Sequence, residues 1–365
     1  VTLDATPAGG TFSGNGVTGN QFDPSVAGVG THTITYTYSD GNGCENSASI
    51  DIIVNDLPVV NFVGTYGPYC VDGAVVTLDA TPAGGTFSGN GVTGNQFDPS
   101  VAGVGTHTIT YTYTDGNSCE NSATIDIIVN DLPVVNFVGT YGPYCVDGVL
   151  VTLDATPAGG TFSGNGVTGN QFDPSVAGVG THTITYTYSD GNGCENSASI
   201  DIIVNDLPVV NFVGTYGPYC VDGAVVTLDA TPAGGTFSGN GVTGNQFDPS
   251  VAGVGTHTIT YTYSDGNGCE NSATIDIIVN DLPVVTIDPI GPFCSNDAVI
   301  TLTATPVGGT FSGPGVTGNQ FDPTVAGPGS HIITYTYTDT NGCTGVDTET
   351  IVVTPAPTTS PIWHN

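Results

Sequence analysis

The chain has 365 residues, with no Lys or Arg against 33 Asp and Glu, giving a formal charge of −33 and a pI near 4.1. Without cationic side chains it cannot replace the counterions of a phosphate backbone or hold an anionic membrane surface, so nucleic acid and acidic lipid are excluded as partners. No apolar run approaches the ~20 residues that span a bilayer, so membrane insertion is not expected.

The acidity is not that of a disordered tail, because 38% of residues are apolar and the acids are evenly spread. The 54 Gly and 24 Pro leave few stretches long enough for a helix. Repetition dominates the sequence. VTLDATPAGGTFSGNGVTGNQFDPSVAGVGTHTITYTY starts at Val1, Val76, Val151 and Val226, and a diverged copy starts at Ile300. A 75-residue period exceeds the ~20–45 residues of solenoid coils and suits a compact all-β domain. Boundaries are read at the Leu-Pro that follows each VND: a partial repeat 1–56, then repeats 57–131, 132–206, 207–281 and 282–355, with a Pro/Thr-rich tail at 356–365. Val1 and the absence of a signal-peptide pattern suggest a processed or truncated piece.

Within repeat 57–131, strands are predicted in chain order at Pro58–Val63, Ala74–Ala80, Thr86–Ser88, Gln96–Asp98, Thr106–Thr114 and Ala123–Val129. The Thr106–Thr114 run alternates, with Thr106, Thr108, Thr110 and Thr112 on one face and His107, Ile109, Tyr111 and Tyr113 on the other. Six or seven short strands separated by turn signals predict a two-sheet, Ig-like β-sandwich, repeated five times with the first copy incomplete. A core of this size often needs covalent staples.

Nine cysteines supply them. Each full repeat has one ahead of its second long strand and one in the turn before its last: Cys70 and Cys119, Cys145 and Cys194, Cys220 and Cys269, Cys294 and Cys343. Repeat 1–56 has only Cys44. Paired cysteines in an acidic, Gly- and Thr-rich chain imply an oxidising, extracellular or cell-surface setting. Pairing within each repeat, Cys70–Cys119, Cys145–Cys194, Cys220–Cys269 and Cys294–Cys343, with Cys44 unpaired or intermolecular, is the first expectation. The alternative is pairing between neighbours, as in Cys70–Cys194, because an Ig-type topology puts the two cysteines of one repeat at opposite poles. Zinc-type C-x-x-C clusters are absent.

The turn Ser39–Ser47 (SDGNGCENS) recurs in every repeat. Its acids and amides suit a polar β-turn. They also supply hard oxygens, so a Ca²⁺ site built from Asn55, Asp56, Asp115, Asn117, Glu120 and their equivalents is the one candidate cofactor site. His32, His107, His182, His257 and His331 recur without a nucleophile motif and read as structural. The Thr row resembles the flat arrays of ice-binding surfaces, although Thr is ordinary on the solvent face of a strand. Every polar constellation has counterparts in other repeats, unlike an enzyme's unique active site.

The string GGTFSGxGVxGxxFDPxxAGxGxHxITYTYxDxxGC resembles the Ig-like or PKD-like repeats of giant secreted surface adhesins of Bacteroidota, of the gliding-motility, type IX-secreted kind. That resemblance implies a β-sandwich array at the cell surface that acts as filament or stalk rather than as catalyst. The partners expected are the chain itself, head to tail, or further repeats of a longer chain; surface glycans bound through the repeated polar loops are the alternative. The tail Thr354–Asn365, with the sole Trp363, could donate a strand to the deficient first repeat of a neighbouring subunit.

Overall fold

The computed structural model describes residues 1–359. The protein is an array of Ig-like β-sandwich repeats. Two compact units are distinguished. One comprises Val1–Thr140, Val151–Phe172 and Thr183–Asp201; the other comprises Tyr141–Leu150, Asp173–His182 and the chain from Ile202 onward. The first contains the whole of repeats 1–56 and 57–131, and the second contains 207–281 and 282–355.

Repeat 57–131 shows the pattern in the first unit. Its strands are β1 (Asn61–Phe62), β2 (Tyr69–Cys70), β3 (Val76–Thr77), β4 (Ala80–Thr81), β5 (Thr86–Ser88), β6 (Val92–Thr93), β7 (Gln96–Phe97), β8 (Gly105–Thr114) and β9 (Glu120–Asn130). They form a four-stranded sheet in the order β5-β8-β9-β2, a three-stranded sheet β6-β7-β3 and a two-stranded ribbon β1-β4. The long hairpin β8–β9 sets the register, pairing Ile109 with Ile125 and Tyr111 with Ala123. At the far end of β9, β2 runs parallel to it, with Tyr69 beside Val129 and Cys70 beside Asn130.

The alternation in THTITYTYT is realised as read. Ile109 is fully buried and Tyr111 nearly so, while Thr106 and Thr108 are exposed. Leu78, Phe97, Ile109, Ile127 and Val129 form the core, and Phe62, Tyr66 and Tyr69 pack against it. Burying such side chains stabilises the fold by about 1.5–3 kcal/mol each. A second cluster joins Val60, Ala80 and Tyr111. The Tyr111 hydroxyl donates to the Pro82 carbonyl at 2.6 Å and accepts from the Gly85 N–H at 2.7 Å. Gly85 has to be glycine, because a Cβ there would collide with the Thr112 carbonyl and the Tyr111 ring.

The strands β2 and β6 have no counterpart among those expected, the predicted Pro58–Val63 shortens to β1, and two further elements differ in kind. The predicted strand Ala74–Ala80 is divided into β3 and β4, which belong to different sheets. Between them Leu78 plunges into the core, its N–H held by the Asn95 carbonyl at 2.8 Å. The Asp79 N–H is taken by the Tyr66 hydroxyl at 2.7 Å, so the chain turns from one sheet to the other. The second difference is a one-turn helix at Pro99–Ala102, capped by the Asp98 side chain on the Ser100 N–H. Asp as N-cap followed by Pro at the first helical position was the available signal.

In the second unit the same elements recur. Gly255–Ser264 pairs with Glu270–Asn280, and Tyr219–Cys220 lies parallel to Val279–Asn280. In repeat 282–355, Gly329–Thr338 pairs with Thr344–Thr354, with Phe293–Cys294 beside Val353–Thr354. Their cores centre on Phe247, Ile259 and Ile277, and on Phe321, Ile333 and Ile351.

Candidate functional site: the cysteine turn and the repeat junction

The recurrent loop is a tight hairpin turn organised by its first acid. In repeat 57–131, one oxygen of Asp115 accepts the N–H groups of Asn117 and Cys119 at 2.9 and 2.8 Å. The main chain closes from Asp115 N–H to the Cys119 carbonyl at 2.9 Å. The same cap recurs at Asp40, Asp190, Asp265 and Asp339. Donation from the cysteine N–H, chiefly, holds the carboxyls of Asp40, Asp190 and Asp265 below the usual carboxylate range. The residue before the cysteine has positive φ, which Gly43, Gly193, Gly268 and Gly342 adopt freely. Ser118 is forced into the same conformation at φ 69°.

The turn presents its cysteine to the preceding repeat. The disulfides are Cys70–Cys194, Cys145–Cys269 and Cys220–Cys343, each with Cα atoms 5.5 Å apart. This corrects the first expectation of Cys70–Cys119, Cys145–Cys194, Cys220–Cys269 and Cys294–Cys343. Strand geometry supplies the reason. Cys70 sits beside Asn130 at the end of β9, whereas Cys119 immediately precedes Glu120 at its start. A strand of that length separates them by roughly 30 Å, against the ~7 Å a disulfide tolerates.

A short linker brings the correct partners together. The chain leaves β9 at Asn130, next to Cys70. Three residues on, the Pro133 carbonyl accepts from the Asn196 side chain at 2.9 Å, and Asn196 lies two residues beyond Cys194. In the second unit Asn271 holds the Pro208 carbonyl at the same distance, beside Cys269. Repeat 282–355 has Gly345 at this position, where a Cβ would overlap the Pro283 carbonyl. The Asp347 carboxylate bonds the Ile287 N–H instead, at 2.8 Å. Cys194, Cys269 and Cys343 are fully buried in these junctions. Cys44, Cys119 and Cys294 are free thiols.

The candidate calcium ligands are placed differently from a closed oxygen shell. Asp115 is engaged by its own turn, Glu120 accepts from the Thr114 hydroxyl at 3.3 Å, and Asp56 caps the Leu57 N–H. Asn117 donates its own N–H to Asp115, and Asn55 lies exposed in the linker. Among the described residues no three His, Cys, Asp or Glu side chains group as a metal site. The repeated histidines are structural: His107 Nε2 bonds the Gly103 carbonyl at 2.7 Å, and His32, His182, His257 and His331 do the same with Gly28, Gly178, Gly253 and Gly327. On the solvent face of the hairpin, Thr108 donates to Asp126 at 2.7 Å. Repeat 282–355 replaces both members of this cross-strand pair, by Ile332 and Thr350. Trp363 and the rest of the proposed donor tail beyond Thr359 lie outside the described residues.

No family model matches the chain. It is 28% identical to hyalin of the sea urchin Strongylocentrotus purpuratus over 386 aligned positions, which take in 91% of this chain. The chain spans about a third (31%) of that relative's length. Among solved structures, it is similar to a Ca²⁺-stabilised adhesin that helps an Antarctic bacterium reach out and bind ice: 14% identity, 95% of this chain and 99% of that one, TM-score 0.29. It is also similar to the immunoglobulin domains 1–4 of Sidekick-1, at 11% identity and TM-score 0.21, covering 81% and 98% of the two chains. No helix among the described residues is long and apolar enough to cross a membrane.

Proposed function

We propose that this chain is a load-bearing structural element of an extracellular assembly, as a filament subunit or the stalk of a bacterial surface adhesin. Its domains are taken as 57–131, 132–206, 207–281 and 282–355, preceded by the partial 1–56. The supporting observation is the overlap of the three disulfides. Their loops of 124, 124 and 123 residues interlock, so no repeat from 57 to 355 is tied to its neighbour by the linker alone. Disulfides of this kind persist only in oxidising compartments, which favours secretion or surface display. The turn acids bond their own backbone amides, so the repeated loops act as braces rather than as ligand sites.

Stretching a single chain tests this reading. The covalent path passes from Cys70 to Cys194 and from Cys220 to Cys343, leaving both intervening segments slack. Reduction before pulling should therefore lengthen the unfolded contour by roughly 80–90 nm, at ~3.3–3.6 Å per released residue. Equal contours with and without reductant would contradict the mechanical reading.

A further inference from the structure

Each repeat carries a groove that takes no part in its caps, turns or disulfides. In repeat 57–131 it lies between the loop 83–85 and the turn 94–95, with Phe87 and Tyr111 along one wall. The counterparts are lined by Phe12 and Asn20, Phe162 and Asn170, Phe237 and Asn245, and Phe311 and Asn319. Their volumes run from 400 to 490 Å³, within the range of small-ligand sites. The wall is fixed, because Tyr111 is locked by Pro82 and Gly85 and packs on Phe87 with ring centroids 4.5 Å apart. The mouth is open: a Cβ on Gly84 or Gly94 would meet nothing within 4 Å.

Two polar side chains line this groove with their backbones already pinned. The Asp79 N–H donates to the Tyr66 hydroxyl at 2.7 Å, and the Asp79 carbonyl accepts the Val63 N–H at 2.9 Å. The Asn95 carbonyl accepts the Leu78 N–H at 2.8 Å. Yet neither the Asp79 carboxylate nor the Asn95 amide has a hydrogen-bond partner among the described residues, and the same holds for Asp4 with Asn20 and for Asp229 with Asn245. Other acids and amides of the repeat are engaged: Asp98, Asp115, Asn90 and Asn121 all bond the backbone. The groove therefore offers an aromatic wall, an acceptor and an amide, held in place and unsatisfied.

We infer that each groove binds a segment of a neutral polysaccharide. A sugar ring has a C–H face to lie on an aromatic wall, and adjacent hydroxyls that donate to a carboxylate and accept from an amide. Acidic sugars, phosphates and nucleotides find no counter-charge in a chain with no Lys or Arg and a formal charge of −33. A cationic ligand is disfavoured by repeat 282–355, where Thr303 stands in place of the acid and donates to Asp288, while Phe311, Asn319 and the groove persist. What the grooves share is the aromatic wall and the amide, not the charge. Sites that are weak singly add up when one chain of sugars meets several of them. This goes beyond the mechanical reading and does not depend on it.

The test is native electrophoresis of the chain through gels containing a mixed-linkage β-glucan, a galactomannan or a xylan. At least one of the three should retard it relative to an acidic reference protein, and a short oligosaccharide of the same sugar should restore its mobility. Changing Asn20, Asn95, Asn170, Asn245 and Asn319 to Ala together should weaken binding by about tenfold or more, and Asn95→Ala alone by far less. Circular dichroism should show the same β-spectrum for every variant, because these amides bond nothing in the fold. Asp79→Asn with its equivalents should still bind, since an amide oxygen also accepts from a hydroxyl. No retardation in any of the three gels would overturn the proposal, as would retardation that survives the five Asn→Ala changes. Binding abolished by Asp79→Asn and its equivalents but kept by the Asn→Ala variant would show recognition of charge and overturn it as well.

Discussion

Cys70 and Cys194 meet because Cys70 is paired beside Asn130, where one repeat ends, while Asn196 grips the carbonyl of Pro133, where the next begins. Backbone pairing fixes one cysteine and an amide side chain fixes the other. The disulfide then closes a gap that is already set, across 124 residues of sequence.

Loss of this bond should be costly. In the loop-entropy model, closing a loop of this size stabilises the folded state by about 4–5 kcal/mol. The double variant Cys70→Ser/Cys194→Ser is therefore expected to unfold at distinctly lower guanidinium concentration, whereas Cys119→Ser should leave the midpoint unmoved. Equal midpoints for all three proteins would remove the junction's role in stability.

Ser118 offers the opposite effect. It is the one described non-glycine residue with positive φ, at the turn position where other repeats use Gly. Relieving that conformation by Ser118→Gly should stabilise repeat 57–131 by roughly 0.5–1 kcal/mol, after allowing for the greater freedom of Gly in the unfolded chain. Thermal unfolding measured by circular dichroism would register a small upward shift; a downward shift would contradict the strain.

Tyr111→Phe keeps the ring against Phe87, at a centroid distance of 4.5 Å, and removes only the hydroxyl. It strands the Gly85 N–H and the Pro82 carbonyl, and a destabilisation of about 1–3 kcal/mol is expected from denaturant titration. An unchanged midpoint would mean that water replaces both bonds.

The turn acids give a pH signature. Asp40, Asp190 and Asp265 have folded pKa values below the unfolded 3.8, so their contribution is complete above that value and is lost as pH falls through the folded pKa. The N-cap acids Asp23, Asp98, Asp173 and Asp248 shift in the same direction, led by the hydroxyls of Ser25, Ser100, Ser175 and Ser250. The melting temperature should therefore hold from neutral pH to about 5 and drop below about 4. Stability that rises on acidification to pH 3 would contradict the capping geometry.

Much of this architecture was legible in the sequence because periodicity reports burial directly. The alternation around Ile109 and Tyr111, the glycine before the turn cysteine and the repeat spacing each follow from local chemistry. The division of Ala74–Ala80 was not legible, because it depends on Asn95 and Tyr66, which are distant in sequence. The cysteine pairing also depended on topology. Membership of one repeat groups Cys70 with Cys119, and the parallel pairing of Cys70 with Asn130 shows that the length of β9 separates them. That one oxygen of Asp115 accepts the Asn117 and Cys119 amides depends on the folded turn, which the count of oxygens behind the Ca²⁺ reading does not contain.

Disulfide mapping tests the central claim most directly. The chain lacks trypsin sites, so the native protein, its thiols alkylated, would be cleaved at aromatic residues alone, which leaves each cysteine joined to the residues that follow it, and sequenced by mass spectrometry without reduction. Cys145 is followed by the distinctive Val149-Leu150, while Cys194 and Cys269 are told apart by the Ser199 and Thr274 that follow them. The account predicts Cys145 linked to the Thr274-bearing peptide of Cys269. Cys145 linked to the Ser199-bearing peptide of Cys194 would place the bond inside one repeat and contradict it.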